Sequence, residues 1–177
     1  SFNKNQKIQC RGFLRYLIKE NNENFNIIAE IKKSSPSRGI IRKNFNLSKI
    51  AQSYESAGAK CISILTEKNY FGGDIDYIKQ VKKVSSLPIL RKDFIIDEWQ
   101  IYESFYYGAD CILLILAILD DTKAKKFLKL AHELDMDVIT EIHDYEELQR
   151  AIEIGARCIG INNRNLKTLE IDINLFK

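Results

Sequence analysis

The chain has 177 residues, of which 45% are hydrophobic and 29% charged, and its formal net charge is +3. This length suits one compact domain, and positive charges interspersed with negative ones do not favour a nucleic-acid-binding protein. No apolar stretch approaches the roughly 20 residues that a transmembrane helix needs, so no membrane partner is expected.

Apolar runs alternate with amphipathic stretches along the whole chain. The predicted strands are, in chain order, 27–31, 61–65, 88–90, 111–116, 138–142 and 158–161. The predicted helices, counted from the capping residue where there is one, are 10–20, 46–57, 74–84, 97–107, 120–134 and 144–154. This alternation predicts an α/β fold with a parallel sheet and right-handed crossovers. Both an open doubly wound sheet and a (β/α)8 barrel fit it.

A five-residue pattern, Gly-Ala-x-Cys-Ile, begins at Gly58, Gly108 and Gly155. Each glycine follows an amphipathic stretch, where glycine accepts the left-handed backbone that ends a helix. The cysteines of the three copies begin apolar runs, and Cys10 stands alone. Because there is no CxxC pair, we expect these cysteines to be small buried side chains rather than metal ligands or disulfides. Reduced cysteines fit a cytoplasmic protein.

The carboxyl ends of the predicted strands carry polar side chains, and a parallel α/β sheet binds its ligands at this edge. Alternation along the first strand puts Glu30 and Lys32 on one face, either as a structural ion pair or as part of a site. The third strand ends with Lys92 and Phe94 on one face. Two lysines that point towards one partly dry site can act as proton donors.

The fifth and sixth predicted strands contribute Glu141 and Asn162, and Arg164 lies just beyond. Asn162 is expected to be a neutral hydrogen-bonding group, and the guanidinium of Arg164 is expected to bind an anion in a bidentate manner. Of the two histidines, His143 is expected at the surface beside the cap of the next helix, and His132 is expected to be solvated.

Four of the six predicted strand ends therefore bring charged or amide-bearing groups to one edge. The polar loop 34–39 suits an anion or a carboxylate, and Phe71 follows the second strand. This set predicts a site for a small anionic aromatic substrate and for proton transfer. No GxGxxG or GxxxxGK[ST] sequence follows a strand, no cluster has metal-ligand spacing, and no Ser-His-Asp order is present. Dinucleotide, P-loop, metal and hydrolase sites are therefore not expected.

Four segments resemble, in the same order, the motifs of indole-3-glycerol phosphate synthase of tryptophan biosynthesis: IAEIKKSSPS, LTEKNYFGG, LPILRKDFIID and IGINNRNL. The resemblance implies a single (β/α)8 barrel domain over 1–177, with an N-terminal extension at 1–24 and strands one to six at 25–177. It implies conversion of 1-(o-carboxyphenylamino)-1-deoxyribulose 5-phosphate to indole-3-glycerol phosphate by ring closure, decarboxylation and dehydration. This is a carboxy-lyase reaction without cofactor or metal.

The resemblance also implies roles for the residues at the strand ends. Lys92 is expected to be the general acid of ring closure, and Glu141 the acid or base of dehydration. Lys32 is expected to hold an anionic group and share in proton transfer, while Glu30 and Asn162 orient the substrate hydroxyls and the lysines. Further substrate contacts are implied at Ser35, Pro36, Phe71, Phe94, Leu113 and Arg164. The three apolar members would form a slot for the aromatic ring, and Ser35 and Arg164 would lie near the departing carboxylate.

The chain is shorter than the family's barrel, which typically needs about 250 residues. The family binds its phosphate mainly with the loops after strands seven and eight, so we expect an incomplete barrel from a longer protein, inactive alone. One alternative is a half-barrel module that needs a partner chain. Another is phosphoribosylanthranilate isomerase, which would need a Cys/Asp acid–base pair at strand ends. Fusion to, or association with, other tryptophan-pathway enzymes is compatible with the resemblance.

Overall fold

The computed structural model describes residues 9–18, 25–36, 38–42 and 44–164. Its strands are β1 (Ile28–Ile31), β2 (Ser34–Ser35), β3 (Gly39–Ile40), β4 (Cys61–Leu65), β5 (Ile89–Lys92), β6 (Cys111–Ile115), β7 (Asp137–Ile142) and β8 (Ile159–Ile161). Six of them form a curled parallel sheet in the order β1-β4-β5-β6-β7-β8, and β2 and β3 form an antiparallel hairpin. A doubly wound sheet reverses its strand order, whereas this order follows the chain. The prediction of a partial barrel is therefore confirmed.

The helices lie where the amphipathic stretches predicted them. They are α1 (Phe13–Ile18), α2 (Leu47–Ser56), α3 (Asp76–Lys82), α4 (Glu98–Tyr107), α5 (Asp121–Glu133) and α6 (Tyr145–Glu153), with a 3-10 turn at Leu116–Ile118. Four predicted caps are confirmed: the side chains of Asn46, Asp97, Asp120 and Asp144 accept hydrogen bonds from backbone N–H groups of the first turn. The predicted left-handed glycines are confirmed by φ values of +87°, +88° and +82° at Gly58, Gly108 and Gly155.

Side chains of the sheet alternate between an outer face, covered by the helices, and an inner, concave face. Residues paired in register share a face. The pairs that define the inner face are Glu30–Ser63, Ser63–Leu90, Leu65–Lys92, Leu90–Cys111, Leu113–Ile139 and Ile115–Glu141. Glu30, Lys32, Lys92 and Glu141 therefore all lie on the inner face, towards its carboxyl end.

The amino end of the inner face is filled by apolar side chains. Phe13 of α1 is fully buried there, packed in one cluster with Cys61, Leu90 and Cys111. Burial confirms the expectation for Cys61 and Cys111, whereas Cys158 is half-buried; the four cysteines are free thiols. A second and larger cluster lies between the outer face and the helices.

A buried carboxylate fixes α1 and its entry segment to this end of the sheet. The side chain of Asp110 has no exposed surface. Its Oδ1 accepts from the backbone N–H of Arg11 at 2.8 Å and from the ammonium of Lys82 at 2.9 Å, and its Oδ2 accepts from the N–H of Ile89 at 2.8 Å. Both oxygens are thus used by the fold.

Several predicted boundaries are corrected. The helix expected from Asp74 begins at Asp76, because Oδ1 of Asp74 accepts the N–H of Asp76 in a local turn. The loop 34–39 contains the β2–β3 hairpin, and the third strand of the parallel sheet extends to Lys92. Residues 1–8 and 19–24 lie outside the described part, so the predicted division at 24/25 stays a prediction. None of the described helices is long and apolar enough to cross a membrane.

Candidate active site at the carboxyl end of the sheet

A cavity opens at the carboxyl end of the inner face. Its walls include six of the predicted site residues: Glu30, Lys32, Phe71, Lys92, Phe94 and Leu113. They come from the ends of β1 and β5, from the middle of β6 and from the loop after β4. Alternation along single strands predicted which side chains share a face, and the curl of the sheet brings these strand ends together.

Charged groups form one side of the cavity. The Lys32 ammonium is ion-paired with Oε1 of Glu30, and the Lys92 ammonium lies 4.0 Å from Oε2 of the same carboxylate. Each of the three side chains is about one-third exposed (31%, 32% and 32%), so solvent screens these contacts and limits their contribution to stability. Glu67 and Asp93 also line the cavity, but their carboxylates bind the backbone N–H groups of the Phe71 loop and the Arg91 guanidinium, respectively. The two lysine ammonium groups share the single carboxylate of Glu30 and are suited to hold an anionic group of a ligand.

Aromatic rings form the other side. The ring centroids of Phe71 and Phe94 are 6.4 Å apart, with planes tilted by 45°. Leu113 is buried in the wall of β6. Aromatic side chains can hold a further ring by offset or edge contacts. The three apolar side chains of the expected slot line one cavity, and their role in holding a ring stays a prediction.

The Phe71 loop is shaped by Glu67, a residue that was not predicted as part of the site. The Glu67 carboxylate accepts the backbone N–H groups of Asn69, Tyr70 and Phe71 at 2.8, 2.6 and 3.2 Å. These bonds hold Phe71 over the cavity, which Glu67 also lines. An acidic residue placed directly after a strand and just before turn-forming residues was the available signal.

Glu141 and Asn162 meet next to the cavity. The Asn162 amide Nδ2 donates to Oε1 of Glu141 at 3.1 Å, and the Asn162 Oδ1 accepts the backbone N–H of Arg164 at 3.0 Å. The second bond fixes which end of the amide faces Glu141, because only the oxygen can accept. Glu141 is the register partner of Ile115, a cavity-wall residue, so this cluster lies one strand away from the wall.

His143 is not at the surface, and that expectation is wrong. Its side chain is 11% exposed and lies between Glu141 and Glu147, with Nε2 3.4 Å from Oε1 of Glu141 and Nδ1 3.1 Å from Oε2 of Glu147. Because side chains alternate along an extended chain, His143 lies on the same face as Glu141. The side chain of Glu147 extends from α6 towards His143. The other histidine, His132, is half-buried in the last turn of α5, where burial and Arg157 lower its pKa.

The remaining predicted contacts lie beside the cavity wall. Ser35 and Pro36 belong to the β2–β3 hairpin and its turn, which is joined to the Phe71 loop by a 3.3 Å bond from the N–H of Ser34 to the carbonyl of Phe71. Arg164 is exposed just after β8. None of these three residues is among those that line the cavity; Ser35 and Pro36 are connected to it through the Phe71 loop.

Arg91 stabilises the strand end that presents Lys92. It points to the outer face and is buried, where its guanidinium contacts carboxylate oxygens of Asp93 and Glu103 at 3.0 and 2.8 Å. It also donates to the side-chain oxygens of Thr66 and Ser104 at 3.2 and 3.1 Å. A buried guanidinium needs such partners, and here they join β4, β5 and α4 behind the site.

The thiols do not suit the isomerase alternative. Cys61 and Cys111 lie at the amino ends of β4 and β6, away from the cavity. Burial raises the pKa of Cys61 to about 12 and raises that of Cys111 well above its ordinary value, so neither is an acid or base near neutral pH. Within residues 9–18, 25–36, 38–42 and 44–164, no group of three or more His, Cys, Asp or Glu side chains is arranged to hold a metal ion.

Comparison with known proteins agrees with this geometry. The family model described as indole-3-glycerol phosphate synthase matches residues 1–177. The chain belongs to the indole-3-glycerol phosphate synthase family. A relative of that name from Acetivibrio thermocellus is 54% identical over 172 residues, covering 95% of this chain and 66% of the relative. One from Thermoanaerobacter pseudethanolicus is 55% identical over 152 residues, covering 86% and 58%.

A third family member, from Legionella pneumophila, is 49% identical over 172 residues, covering 97% of this chain and 66% of the relative. The chain thus spans between 58% and 66% of the length of these three synthases. Among solved structures, a mandelate oxidase variant with (S)-mandelic acid matches with a TM-score of 0.57 and 10% identity, covering 77% of this chain and 49% of that one. At this identity the match supports the fold alone.

Proposed function

We propose that the protein containing this chain is an indole-3-glycerol phosphate synthase, which converts 1-(o-carboxyphenylamino)-1-deoxyribulose 5-phosphate to indole-3-glycerol phosphate, carbon dioxide and water. The observation that carries the proposal is the cavity in which the ammonium groups of Lys32 and Lys92 flank Glu30, opposite the Phe71–Phe94 pair. Family membership supplies the substrate class.

Ring closure needs a proton donor. The ring carbon that bears the carboxylate attacks the ketone carbon, and negative charge develops on the ketone oxygen. An ammonium beside that oxygen stabilises the charge and donates a proton. Lys92 is our candidate, because its ammonium lies in the cavity and is held loosely, 4.0 Å from Glu30. Lys32 is more closely paired with Glu30 and serves to hold an anionic group of the substrate.

Decarboxylation benefits from the apolar wall. Loss of carbon dioxide returns electrons to the ring and removes a carboxylate charge. A cavity that excludes water near Phe71, Phe94 and Leu113 solvates the carboxylate poorly. The charged ground state is therefore destabilised relative to the transition state, in which that charge is being lost. Ser35 and Arg164 are proposed to orient the carboxylate before it leaves.

Dehydration needs both a base and an acid. The ring loses a proton while the hydroxyl on the former ketone carbon is protonated and departs as water. Glu141 is our candidate, with Asn162 fixing its Oε1 through the 3.1 Å bond. Glu141 is buried, so its proton exchange is shielded from solvent. Pro36 is proposed to shape the rim beside Ser35.

The test is turnover by the full-length gene product. We expect it to form indole-3-glycerol phosphate from the purified substrate, detected by indole absorbance and mass. Lys92→Ala is expected to lower kcat/KM on the order of 10²-fold or more, because a transition-state proton donor is lost. A matched control is Lys83→Ala, which removes an exposed lysine at the end of α3. An unchanged kcat/KM in Lys92→Ala contradicts the assigned role.

The 177-residue chain alone is predicted to be inactive, since the family binds the substrate phosphate mainly with the loops after strands seven and eight. Turnover by this chain at the rate of the full-length product would refute that prediction. Fusion to, or association with, other enzymes of tryptophan biosynthesis and a cytoplasmic location both stay predictions.

A further inference from the structure

His143 lies between two carboxylates that belong to different elements. Glu141 is on β7, and Glu147 is in the first turn of α6. The ring nitrogens face these groups one each, Nε2 towards Glu141 at 3.4 Å and Nδ1 towards Glu147 at 3.1 Å. All three side chains are largely buried, with Glu141 and His143 both 11% exposed. Water therefore has little access to the ring nitrogens.

Glu147 determines which ring nitrogen of His143 carries hydrogen. Its Oε2 accepts the backbone N–H of His143 at 2.8 Å and lies 3.1 Å from Nδ1, while its own N–H is bound by the cap residue Asp144 at 2.8 Å. A carboxylate can only accept hydrogen bonds, so Nδ1 must be the N–H of the ring. The ring is thereby fixed in orientation and in tautomer.

The other ring nitrogen is then left facing an acceptor. In the neutral ring Nε2 carries a lone pair, and it faces Oε1 of Glu141, which also has lone pairs. Among the described residues Nε2 is one of three buried side-chain atoms that have no hydrogen bond of normal geometry. Two acceptors in a dry contact repel each other unless a proton lies between them.

We propose that His143 is a positioning residue that keeps one proton shared between its Nε2 and Oε1 of Glu141. The proton resides on the ring or on the carboxyl group of Glu141. Oε1 of Glu141 accepts from Asn162 in either state. The proposal rests on the proposed function, since it explains how one carboxyl group serves dehydration: the shared proton goes to the departing hydroxyl, and the proton lost by the ring replaces it.

The surroundings of His143 favour a retained proton. The carboxylates within 4.0 Å of the ring, in the part of the chain that the structure describes, are Glu141 and Glu147. From the β8 side the facing group is Asn162, which is neutral, and beyond it the backbone of Arg164. Arg150 of α6 bonds instead to Asp121 and to carbonyl oxygens near the 3-10 turn. Two carboxyl groups thus face the single ring.

The first experiment determines the tautomer of His143 by NMR and does not require enzymatic activity. Long-range 1H–15N spectra are recorded on the 15N-labelled full-length gene product, and the signals lost in His143→Gln identify His143. We expect Nδ1 to be protonated in the parent protein. In Glu147→Leu we expect the tautomer to change to Nε2–H, because no side-chain acceptor is left at Nδ1 while Glu141 accepts from Nε2. An unprotonated Nδ1 in the parent, or an unchanged tautomer in Glu147→Leu, overturns the proposal.

The second experiment measures kcat, KM and their dependence on pH. His143→Gln is expected to lower kcat roughly tenfold and to alter its pH profile, with KM within about twofold, because Glu141 remains but loses its stored proton. His132→Gln is the matched control and should leave the profile unchanged. An unchanged pH profile in His143→Gln contradicts the proposal. If the parent protein makes no indole-3-glycerol phosphate, the proposed function fails, and the tautomer result still decides the assignment to His143.

Discussion

The amino and carboxyl edges of the sheet use charge in opposite ways. At the amino end, Asp110 is fully buried and its oxygens accept from Arg11, Lys82 and Ile89. At the carboxyl end, Glu30 and Lys92 are one-third exposed, and the 4.0 Å between their charged atoms is too long for a direct hydrogen bond. A charge whose partners all come from the fold stabilises the fold. A charge that borders a cavity and is incompletely paired is available to a ligand.

The largest expected effect is on stability, at the amino end. Asp110→Ala leaves the backbone N–H groups of Arg11 and Ile89 without their acceptor, and it removes the carboxylate partner of the Lys82 ammonium, which keeps the carbonyl oxygen of Gly108. We expect the free energy of unfolding to fall by about 3 kcal/mol or more, measured by urea denaturation. Asp76→Ala removes an exposed carboxylate from the first turn of α3 and is expected to cost no more than about 0.5 kcal/mol. Equal losses in the two variants would remove the contrast between buried and exposed carboxylates.

A smaller effect, on substrate affinity, is expected at the carboxyl end. Phe94→Ala removes one wall of the aromatic slot, and the ring is 37% exposed. We expect KM for the substrate to rise about tenfold, since part of the apolar contact is lost, while the free energy of unfolding changes little. Tyr70→Ala is the matched control, because its ring is 64% exposed and it sits beside Phe71 in the same loop. A similar KM in both variants would argue against the slot.

The thiols of the amino end make stability depend on pH. Burial, with a further contribution from Asp110, raises the pKa of Cys61 from 9.0 to about 12. Above pH 9 the unfolded chain releases this proton and the folded chain keeps it, so stability is complete below pH 9 and falls as the pH rises towards 12. We expect a shallower fall in Cys61→Ala than in the parent protein, measured by urea denaturation across this range. Parallel curves would show that the thiol keeps an ordinary pKa in the folded state.

Local patterns predicted much of this molecule. The left-handed glycines at 58, 108 and 155 and the four side-chain caps follow from rules that span only a few residues, and all are present. Alternation within single strands also predicted that Glu30 and Lys32 share a face, as do Lys92 and Phe94. The family motifs then indicated that these strand ends form one site.

Contacts between distant segments were not predictable in this way. The Asp110 cluster joins residues separated by up to 99 positions, and no local pattern indicates that a carboxylate will meet the N–H of Arg11. His143 was expected at the surface because a cap follows it directly. Its spacing of four residues from Glu147 was the available signal for an interaction, but its burial depends on how α6 packs against β7.

The most direct test of the contrast is Lys92→Met, which removes the ammonium and keeps an apolar stem of similar length. Turnover and the free energy of unfolding are measured on the same preparation of the full-length gene product. The account predicts a loss of kcat/KM on the order of 10²-fold or more, with the free energy of unfolding unchanged within about 0.5 kcal/mol. Retained turnover, or a loss of stability comparable to that of Asp110→Ala, would contradict it.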